Sequence, residues 1–118
     1  MTDYMVLLYA PETDAEGEQA RLADMPAWIA VTESLRNSGV LLSNNRLHAT
    51  DTATTVRVRG GDTEVTDGPF AVTAETLVGY YLLRCASLDE ALRHAARFPA
   101  AAYGSVEVRP VHDLSGAV

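Results

Sequence analysis

Two strand–helix–strand patterns, separated by a hairpin, are the feature of this sequence that most narrows its possible folds. Residues 4–9 form a continuous apolar run, which predicts a central strand covered on both faces. Segments 54–59 and 63–66 alternate between apolar and polar residues on either side of residues 60–62, a composition typical of a β-hairpin. Further strands are predicted at 40–42, before a turn-like stretch at 43–46, and over 78–85 and 104–111. The predicted order is strand, helix, strand, hairpin, strand, helix, strand.

The first predicted helix follows an exposed acidic loop over residues 11–18. It is expected to begin near Asp24, a good cap residue, and to end at Gly39. Pro26 is tolerated because it falls in the first turn, where its missing N–H is not needed. The apolar stripe of this helix is predicted to contain Leu22, Met25, Ile29 and Thr32, with Trp28 and Leu35 beside it.

The second predicted helix begins with the spacing of a capping box. Ser87 and Glu90 are three residues apart, so the Ser hydroxyl and the Glu carboxylate can satisfy free N–H groups at the helix start. Pro99 is expected to end the helix. Its buried stripe is predicted to contain Leu88, Ala91, Leu92, Ala95 and Ala96.

This order of elements predicts an α+β fold, a ferredoxin-like βαββαβ-type domain with an inserted hairpin. Residues 1–112 are expected to form the single domain, followed by a flexible tail over 113–118. Both helices would lie on one sheet face, which leaves the other face bare. Because a small domain is not expected to leave so much sheet exposed, two copies should pack face to face as a homodimer.

Composition excludes several classes of function. The chain has 118 residues, 47% apolar content and a net charge of −7, which fit one globular domain and argue against a nucleic-acid partner. No apolar stretch approaches the roughly 20 residues that span a bilayer, and the N-terminus lacks a signal-peptide pattern. With a single Cys that cannot form an internal disulfide, a cytoplasmic protein without membrane association is expected.

A run of short motifs carries a resemblance to a known family. The central one is Val-Thr-Asp-Gly-Pro-Phe at residues 65–70. The others are Ala-Thr-Thr-Val-Arg at 53–57, Gly-Tyr-Tyr-Leu at 79–82, Ser-Leu-Asp-Glu-Ala at 87–91 and Gly-Ser-Val-Glu-Val-Arg-Pro-Val at 104–111. In this order they resemble the YCII-related family, in the group named for its Asp-Gly-Pro-Phe motif. The resemblance implies the dimeric α/β-barrel arrangement.

The chain departs from that family's pattern at three places. Residues 47–52 lack the prolines that many relatives have before the Thr-Thr-Val-Arg strand, and residues 71–75 lack a charged stretch that is common after the motif. Relatives in the wider family can carry a His on the first helix, whereas residues 26–29 contain none. Chemistry that depends on that His therefore does not carry over to this chain.

Strand alternation predicts a charged side of the sheet. If Val56, Val58, Val106 and Val108 meet the helices, then Arg57, Arg59, Glu107 and Arg109 point toward the open face. One interpretation is a network of ion pairs that closes the dimer. The other is an anion clamp, because the planar fork of Arg suits carboxylates and phosphates.

Asp67 and His48 are the candidate catalytic residues. Asp67 is a turn residue by its position before Gly68, with Phe70 expected to anchor the turn in the core. Alternatively, Asp67 points into a pocket and orients a His or acts as a base. His48 lies in a loop, where it is either solvated or a general acid/base, since histidine exchanges protons readily near neutral pH.

Other chemistry is disfavoured by the residues available. The remaining histidines, His94 and His112, lack zinc-site spacing with His48, and His94 is expected to face solvent. Cys85 has no second thiolate nearby, so it is predicted to be a buried hydrophobe, and no metal is expected. No glycine-rich loop opens a helix, which disfavours nucleotide cofactors.

The sequence thus favours a cofactor-independent small-molecule enzyme, catalysing an elimination, isomerisation or cyclisation in a dimer pocket. His48 would move a proton and Asp67 would orient it or share that role. An organic substrate would be held by Arg57, Arg59, Arg109, Tyr81 and Trp28. The alternative is a non-catalytic dimeric module that binds a ligand or a protein, since the resemblance also implies a link to transcription through sigma factors.

Overall fold

The structure, a computed structural model, describes residues 1–115; residues 116–118 of the predicted tail lie outside this range. Its strands are β1 (Thr2–Pro11), β2 (Leu41–Arg46), β3 (Thr54–Arg59), β4 (Asp62–Asp67), β5 (Glu75–Cys85) and β6 (Ser105–Pro110). Its α-helices are α1 (Ala15–Arg21), α2 (Met25–Asn37), α3 (Leu88–Ala95) and α4 (Ala100–Tyr103).

The main sheet has the strand order β2-β5-β1-β6, with every neighbouring pair antiparallel. Numbered without the hairpin, this is the order 2-3-1-4 that two interlocked strand–helix–strand units produce. The predicted ferredoxin-like α+β fold is therefore confirmed. Residues 43–46, which were predicted as a turn, instead continue β2, where Asn44 and Asn45 lie opposite Tyr81 and Tyr80.

The core lies on the face of the sheet that the helices cover. Every second residue of β1 is buried there, and β5 contributes its own alternating set. The buried strand residues are Tyr4, Val6, Leu8, Ala10, Tyr81, Leu83 and Cys85. Leu35 and Phe98 pack on them from the helical layer. The prediction that β1 is covered on both faces is thus met on only one face within a single chain.

Helix α2 packs on the sheet through residues other than those of the predicted stripe. Val31 and Leu35, one turn apart, are its buried residues. Leu22, Met25 and Ile29 are 47%, 40% and 53% exposed, because a cavity lies between these side chains and the sheet. The acidic segment predicted as a loop over residues 11–18 also differs, since its second half, residues 15–18, forms the start of α1.

Helix α3 begins as its capping box predicts. Ser87 Oγ accepts a hydrogen bond from the N–H of Glu90 at 3.2 Å, and the Glu90 carboxylate accepts one from the N–H of Ala86 at 2.6 Å. The helix buries only Ala91 and Ala95 of its predicted stripe. Their small side chains let the helix approach the sheet closely, which leaves the neighbouring Leu88, Leu92 and Ala96 at the exposed margins.

The hairpin forms where predicted but stands apart from the main sheet. Among the described residues, strands β3 and β4 pair only with each other, around Gly60 and Gly61, whose positive φ values of 57° and 84° suit a tight reversal. Val56 and Val58 were predicted to meet the helices, but they do not: their side chains are 61% and 59% exposed. Strand alternation correctly separated the two hairpin faces, but it cannot show which layer a strand joins.

Candidate functional site

A cavity of about 420 Å³ lies between the helical layer and the β2–β5 side of the sheet. Its volume falls in the range of about 300–1,000 Å³ that is usual for small-molecule sites. Leu22, Met25 and Ile29 line it from above, which explains why this apolar stripe is not packed in the core. The sequence pattern therefore correctly predicted that these residues share one apolar face, but this face lines a cavity and does not pack in the core.

The floor of the cavity depends on two local features of β5. A bulge opposite Leu8 and Tyr9 displaces Val78, which lines the cavity and packs against the core. Bulges commonly redirect a side chain in this way. At Gly79, a Cβ atom would lie 2.8 Å from the carbonyl oxygen of Asn45, so only glycine lets β2 approach this closely.

An aromatic cluster forms the inner side of the cavity. The rings of Trp28 and Tyr81 are stacked with centroids 6.4 Å apart and an interplanar angle of 12°, and Phe98 supports both from the core. Tyr103 also lines the cavity. Trp28 and Tyr81 were predicted to hold a substrate in a dimer pocket, whereas both line this cavity within a single chain.

The direction of one hydrogen bond follows from the proton count at Thr32. Its hydroxyl donates to the carbonyl oxygen of Trp28 at 2.8 Å and lies 2.6 Å from the hydroxyl of Tyr81. Because a hydroxyl has one proton to donate, the Tyr81 hydroxyl must donate to Thr32. The contact fixes the ring of Tyr81 against α2 and leaves its oxygen free to accept a hydrogen bond.

Three arginines also line the cavity. Arg46 lies 3.6 Å from Glu18, in an ion pair whose side chains are 71% and 53% exposed. Arg21 donates to the carbonyl oxygen of Pro11 at 2.8 Å and lies over the ring of Tyr103, 4.9 Å from its centroid. Arg36 is the third arginine of the cavity lining. Among residues 1–115 its side chain has neither an ion pair nor a hydrogen bond.

Tyr103 is suited to donate a hydrogen bond into the cavity. Burial raises the pKa of its phenol, which outweighs the opposite effect of the nearby Arg21 guanidinium. Tyr103 therefore stays protonated at neutral pH and can donate to an acceptor atom of a bound molecule.

The predicted catalytic pair does not lie at this cavity. His48 is exposed and lines a separate depression of about 260 Å³ together with Glu12 and Asp51. Asp67 is exposed at the end of β4, opposite Thr54. Among residues 1–115 no hydrogen bond joins the two side chains, and their catalytic roles stay predictions.

The Asp-Gly-Pro-Phe segment forms a corner at the base of the hairpin. Gly68 has a φ of 98°, donates to the carbonyl oxygen of Ala53 at 2.7 Å and accepts a hydrogen bond from Thr55 Oγ1 at 2.8 Å. Phe70 is 78% exposed, so the prediction that it anchors the turn in the core is wrong for the single chain. The reason is that the hairpin projects beyond the helical layer, which leaves no core for the ring to enter.

The other predicted arginines occupy two different places. Arg57 and Arg59 lie on the hairpin, where they donate to the carbonyl oxygens of Phe70 and Val58 at 3.4 and 3.1 Å. They do not share the open face of the main sheet, because the hairpin is a sheet of its own. They are therefore separated from Arg109.

Glu107 and Arg109 lie on the open face, as predicted. Val106 and Val108 pack against the core, which directs the alternate residues of β6 to the opposite side. The two charged side chains lie 3.7 Å apart and are exposed. This local pairing fits the ion-pair interpretation better than the anion clamp.

Cys85 and His94 lie close together beneath α3. Cys85 is fully buried, as predicted, and burial together with the negative charge of Glu90 raises the pKa of its thiol. His94 was predicted to face solvent, but its side chain is only 18% exposed. Its Nε2 lies 3.7 Å from Glu90 Oε1. The four-residue spacing of Glu90 and His94 places them on one face of the helix, toward Cys85.

Sequence reasoning missed Arg21, Arg36, Arg46, Thr32 and Tyr103 as cavity residues. One signal was present: the apolar stripe of α2 continues through the polar Thr32 to Arg36 at helical spacing. A stripe that becomes polar within the helix fits a cavity better than a core. No α-helix within residues 1–115 has the length and apolarity needed to cross a membrane.

Comparisons with known proteins agree with the motif resemblance. A family model described as a YCII-related domain matches residues 2–115. The chain is also similar to an uncharacterized protein of Rhizobium meliloti (strain 1021), with 43% identity over 112 residues, which cover 92% of this chain and 90% of that protein.

Proposed function

This chain belongs to the YCII-related domain family, and we propose that it binds a small organic anion with a flat apolar body in the cavity between α2 and the sheet. One observation carries the proposal: the cavity combines the stacked rings of Trp28 and Tyr81 with arginines. Such sites usually combine an apolar lining with a few polar groups that fix orientation.

The flat body of the ligand is inferred from the aromatic cluster. Planar molecules stack on aromatic rings with favourable offset geometry, which contributes about 0.5–1.5 kcal/mol beyond the buried area. The hydroxyl oxygen of Tyr81 can accept a hydrogen bond, and the hydroxyl of Tyr103 can donate one. The ligand would therefore carry polar substituents in addition to its charge.

The negative charge of the ligand is inferred from the arginines. Arg36 is the strongest candidate to bind it, because within residues 1–115 its guanidinium has no ion-pair partner. Arg46 can join, since its pair with Glu18 is exposed and such pairs contribute about 0–1 kcal/mol. A guanidinium presents two parallel N–H donors, the geometry that a carboxylate or phosphate accepts.

Calorimetry with a matched panel tests this proposal. We would titrate the protein with aromatic and alicyclic carboxylates and with their neutral amides, and we expect saturable binding of carboxylates only. Arg36→Gln should weaken binding by about tenfold or more, because it removes a charge-assisted hydrogen bond. Arg109→Gln, on the open sheet face, is the control and should have no effect. Equal binding of acids and amides would contradict the assignment of charge.

We propose, with weaker support, a second function for this protein: acid/base catalysis by His48 and Asp67. It needs His48 and Asp67 beside the substrate, whereas the cavity lining contains neither. Binding without catalysis is therefore favoured. Turnover of a bound carboxylate that is abolished by both His48→Ala and Asp67→Ala would reverse this preference, provided that each variant still binds the ligand.

We also propose that the open sheet face pairs two copies in a homodimer. The helices cover only one face, and the other carries large apolar side chains that alternate with the core set on β1 and β5. These are Met5, Leu7, Tyr9, Tyr80 and Leu82. A two-fold axis would place the same face of both copies in contact, as in most homodimers.

A further inference from the structure

We propose that Cys85, Glu90 and His94 form a binding site for a divalent transition-metal ion, with zinc the best fit. One donor atom from each of these residues can be chosen so that all lie within 4.8 Å of one another. None of the three lines the cavity described above, so this would be a second site on the molecule.

The fold brings these donors together from two adjacent elements. Cys85 is the last residue of β5, and its side chain points to the helix-covered face. Glu90 and His94 follow on α3, four residues apart, so both project from one face of the helix toward the thiol. Thiolate, imidazole and carboxylate are the three donor types that zinc uses in proteins.

An unsatisfied buried atom points to a ligand at this position. His94 Nε2 is buried and has no hydrogen-bond partner among the described residues. Its separation of 3.7 Å from Glu90 Oε1 is too long for a hydrogen bond. Because a buried polar atom without a partner is costly, a metal ion bound to Nε2 would remove that cost.

The carboxylate is already oriented for this role. Glu90 accepts the N–H of Ala86 at 2.6 Å through Oε2, which leaves Oε1 directed at His94. Metal-binding carboxylates are commonly held by such a second hydrogen bond. The capping contact of α3 would therefore also position a ligand.

Binding requires a small contraction of the cluster and a change of protonation. Zinc–sulfur and zinc–nitrogen bonds of about 2.3 and 2.0 Å bring ligand atoms to roughly 3.5 Å from one another. Glu90 and His94 can supply this movement and an entry path, since their side chains are 26% and 18% exposed. The thiol of Cys85 releases its proton to solvent as sulfur binds the metal, and a water molecule would take the fourth position.

Arg97 opposes metal binding in the present geometry. Its Nη1 lies 3.4 Å from His94 Nδ1, while its Nη2 donates to Ser34 Oγ at 2.8 Å. When Nε2 binds a metal, Nδ1 carries the proton and cannot accept a hydrogen bond from Arg97. Removal of this guanidinium should therefore strengthen metal binding, which a merely adventitious surface site would not show.

Cobalt(II) provides the direct test, because it replaces zinc and its absorption reports thiolate and tetrahedral coordination. We would titrate metal-free full-length protein with Co²⁺, displace it with Zn²⁺, and follow the thiolate-to-cobalt charge-transfer band. We expect one ion per chain. His94→Gln should weaken binding by more than about 100-fold, since changes next to a ligand already cost 10–100-fold. Arg97→Gln should tighten binding.

Two further variants keep the test decisive. Cys85→Ala should abolish the charge-transfer band, and His112→Gln, outside the cluster, should leave binding unchanged. If Cys85→Ala fails to fold, His94→Gln and Arg97→Gln still decide the question, because Arg97 is exposed and His94, unlike Cys85, is only partly buried. Absence of binding at micromolar metal, or binding unaffected by His94→Gln, would overturn the proposal.

Discussion

Tyr81 shows how single residues connect the core to the cavity. Its ring is buried against Phe98 with centroids 4.4 Å apart, and its hydroxyl donates to Thr32 on α2. The adjacent Tyr80 points to the open face, where its hydroxyl accepts a hydrogen bond from Asn45 at 2.9 Å. The two tyrosines lie on opposite faces of the sheet, which follows directly from the period of a strand.

We expect Tyr81→Phe to destabilise the protein by about 1 kcal/mol, because Thr32 loses its donor in a partly buried setting. Tyr80→Phe is the matched control and should cost less than about 0.5 kcal/mol, because its hydroxyl takes part only in an exposed hydrogen bond with Asn45. Urea denaturation measures both values. Equal losses would show that the Tyr81–Thr32 contact does not stabilise the fold.

Asp3 gives a prediction about pH. The hydrogen bond from Arg84 Nε to its carboxylate, at 2.8 Å, is the main cause that lowers the pKa of Asp3. A carboxyl with a lower pKa in the folded state adds stability above its unfolded value of about 3.9, and that stability is lost as the pH falls through the folded value.

Asp3→Asn should therefore reduce the loss of stability between neutral pH and pH 3, measured by thermal unfolding across the range. Asp62→Asn, at the tip of the hairpin, serves as the control. An acid limb as steep in Asp3→Asn as in the unchanged protein would contradict the role of the Asp3–Arg84 pair.

At the scale of elements, the helices and strands were predictable where local pattern decides the structure. Three short patterns each determined a local conformation. They are the apolar run of β1, the pair of glycines between β3 and β4 and the capping box of α3. Environment was not predictable in the same way. Alternation separates the faces of β3, and helical spacing defines the stripe of α2, but neither shows whether a partner layer, a cavity or solvent lies opposite.

The chain contains two phenylalanines that test this distinction. Phe98 is 1% exposed and Phe70 is 78% exposed. Phe98→Ala should cost about 3–5 kcal/mol in unfolding free energy, as for other large buried rings. Phe70→Ala should cost less than about 1 kcal/mol. A large loss at Phe70 that depends on protein concentration would place its ring in an interface between copies.

At the scale of the whole molecule, the part of the chain that the structure describes covers the sheet on one side only. We expect a dimer in sedimentation velocity at micromolar concentration, because the open face carries several large apolar side chains of β1 and β5. Leu7→Glu, at the centre of β1, should shift the equilibrium to monomer by placing charge in the interface. A monomeric unchanged protein would contradict the pairing.

The candidate site was predictable only in part for the same reason. Trp28 and Tyr81 were identified because aromatic residues near a sheet commonly line pockets. Arg36 and Tyr103 were not, since they come from separate elements that the tertiary fold alone brings together. The cluster of Cys85, Glu90 and His94 was not predicted, because the spacing of the cysteine and histidines alone does not indicate a site that is completed by the carboxylate of Glu90.

The fluorescence of Trp28 tests the central claim most directly, because it is the single tryptophan of the chain and lines the cavity. We would titrate the protein with an aromatic carboxylate and follow tryptophan emission, with Arg36→Gln as the comparison. We expect saturable quenching that Arg36→Gln shifts to about tenfold higher concentration. Emission that stays unchanged while calorimetry records binding would place the ligand elsewhere and contradict the assignment of this cavity.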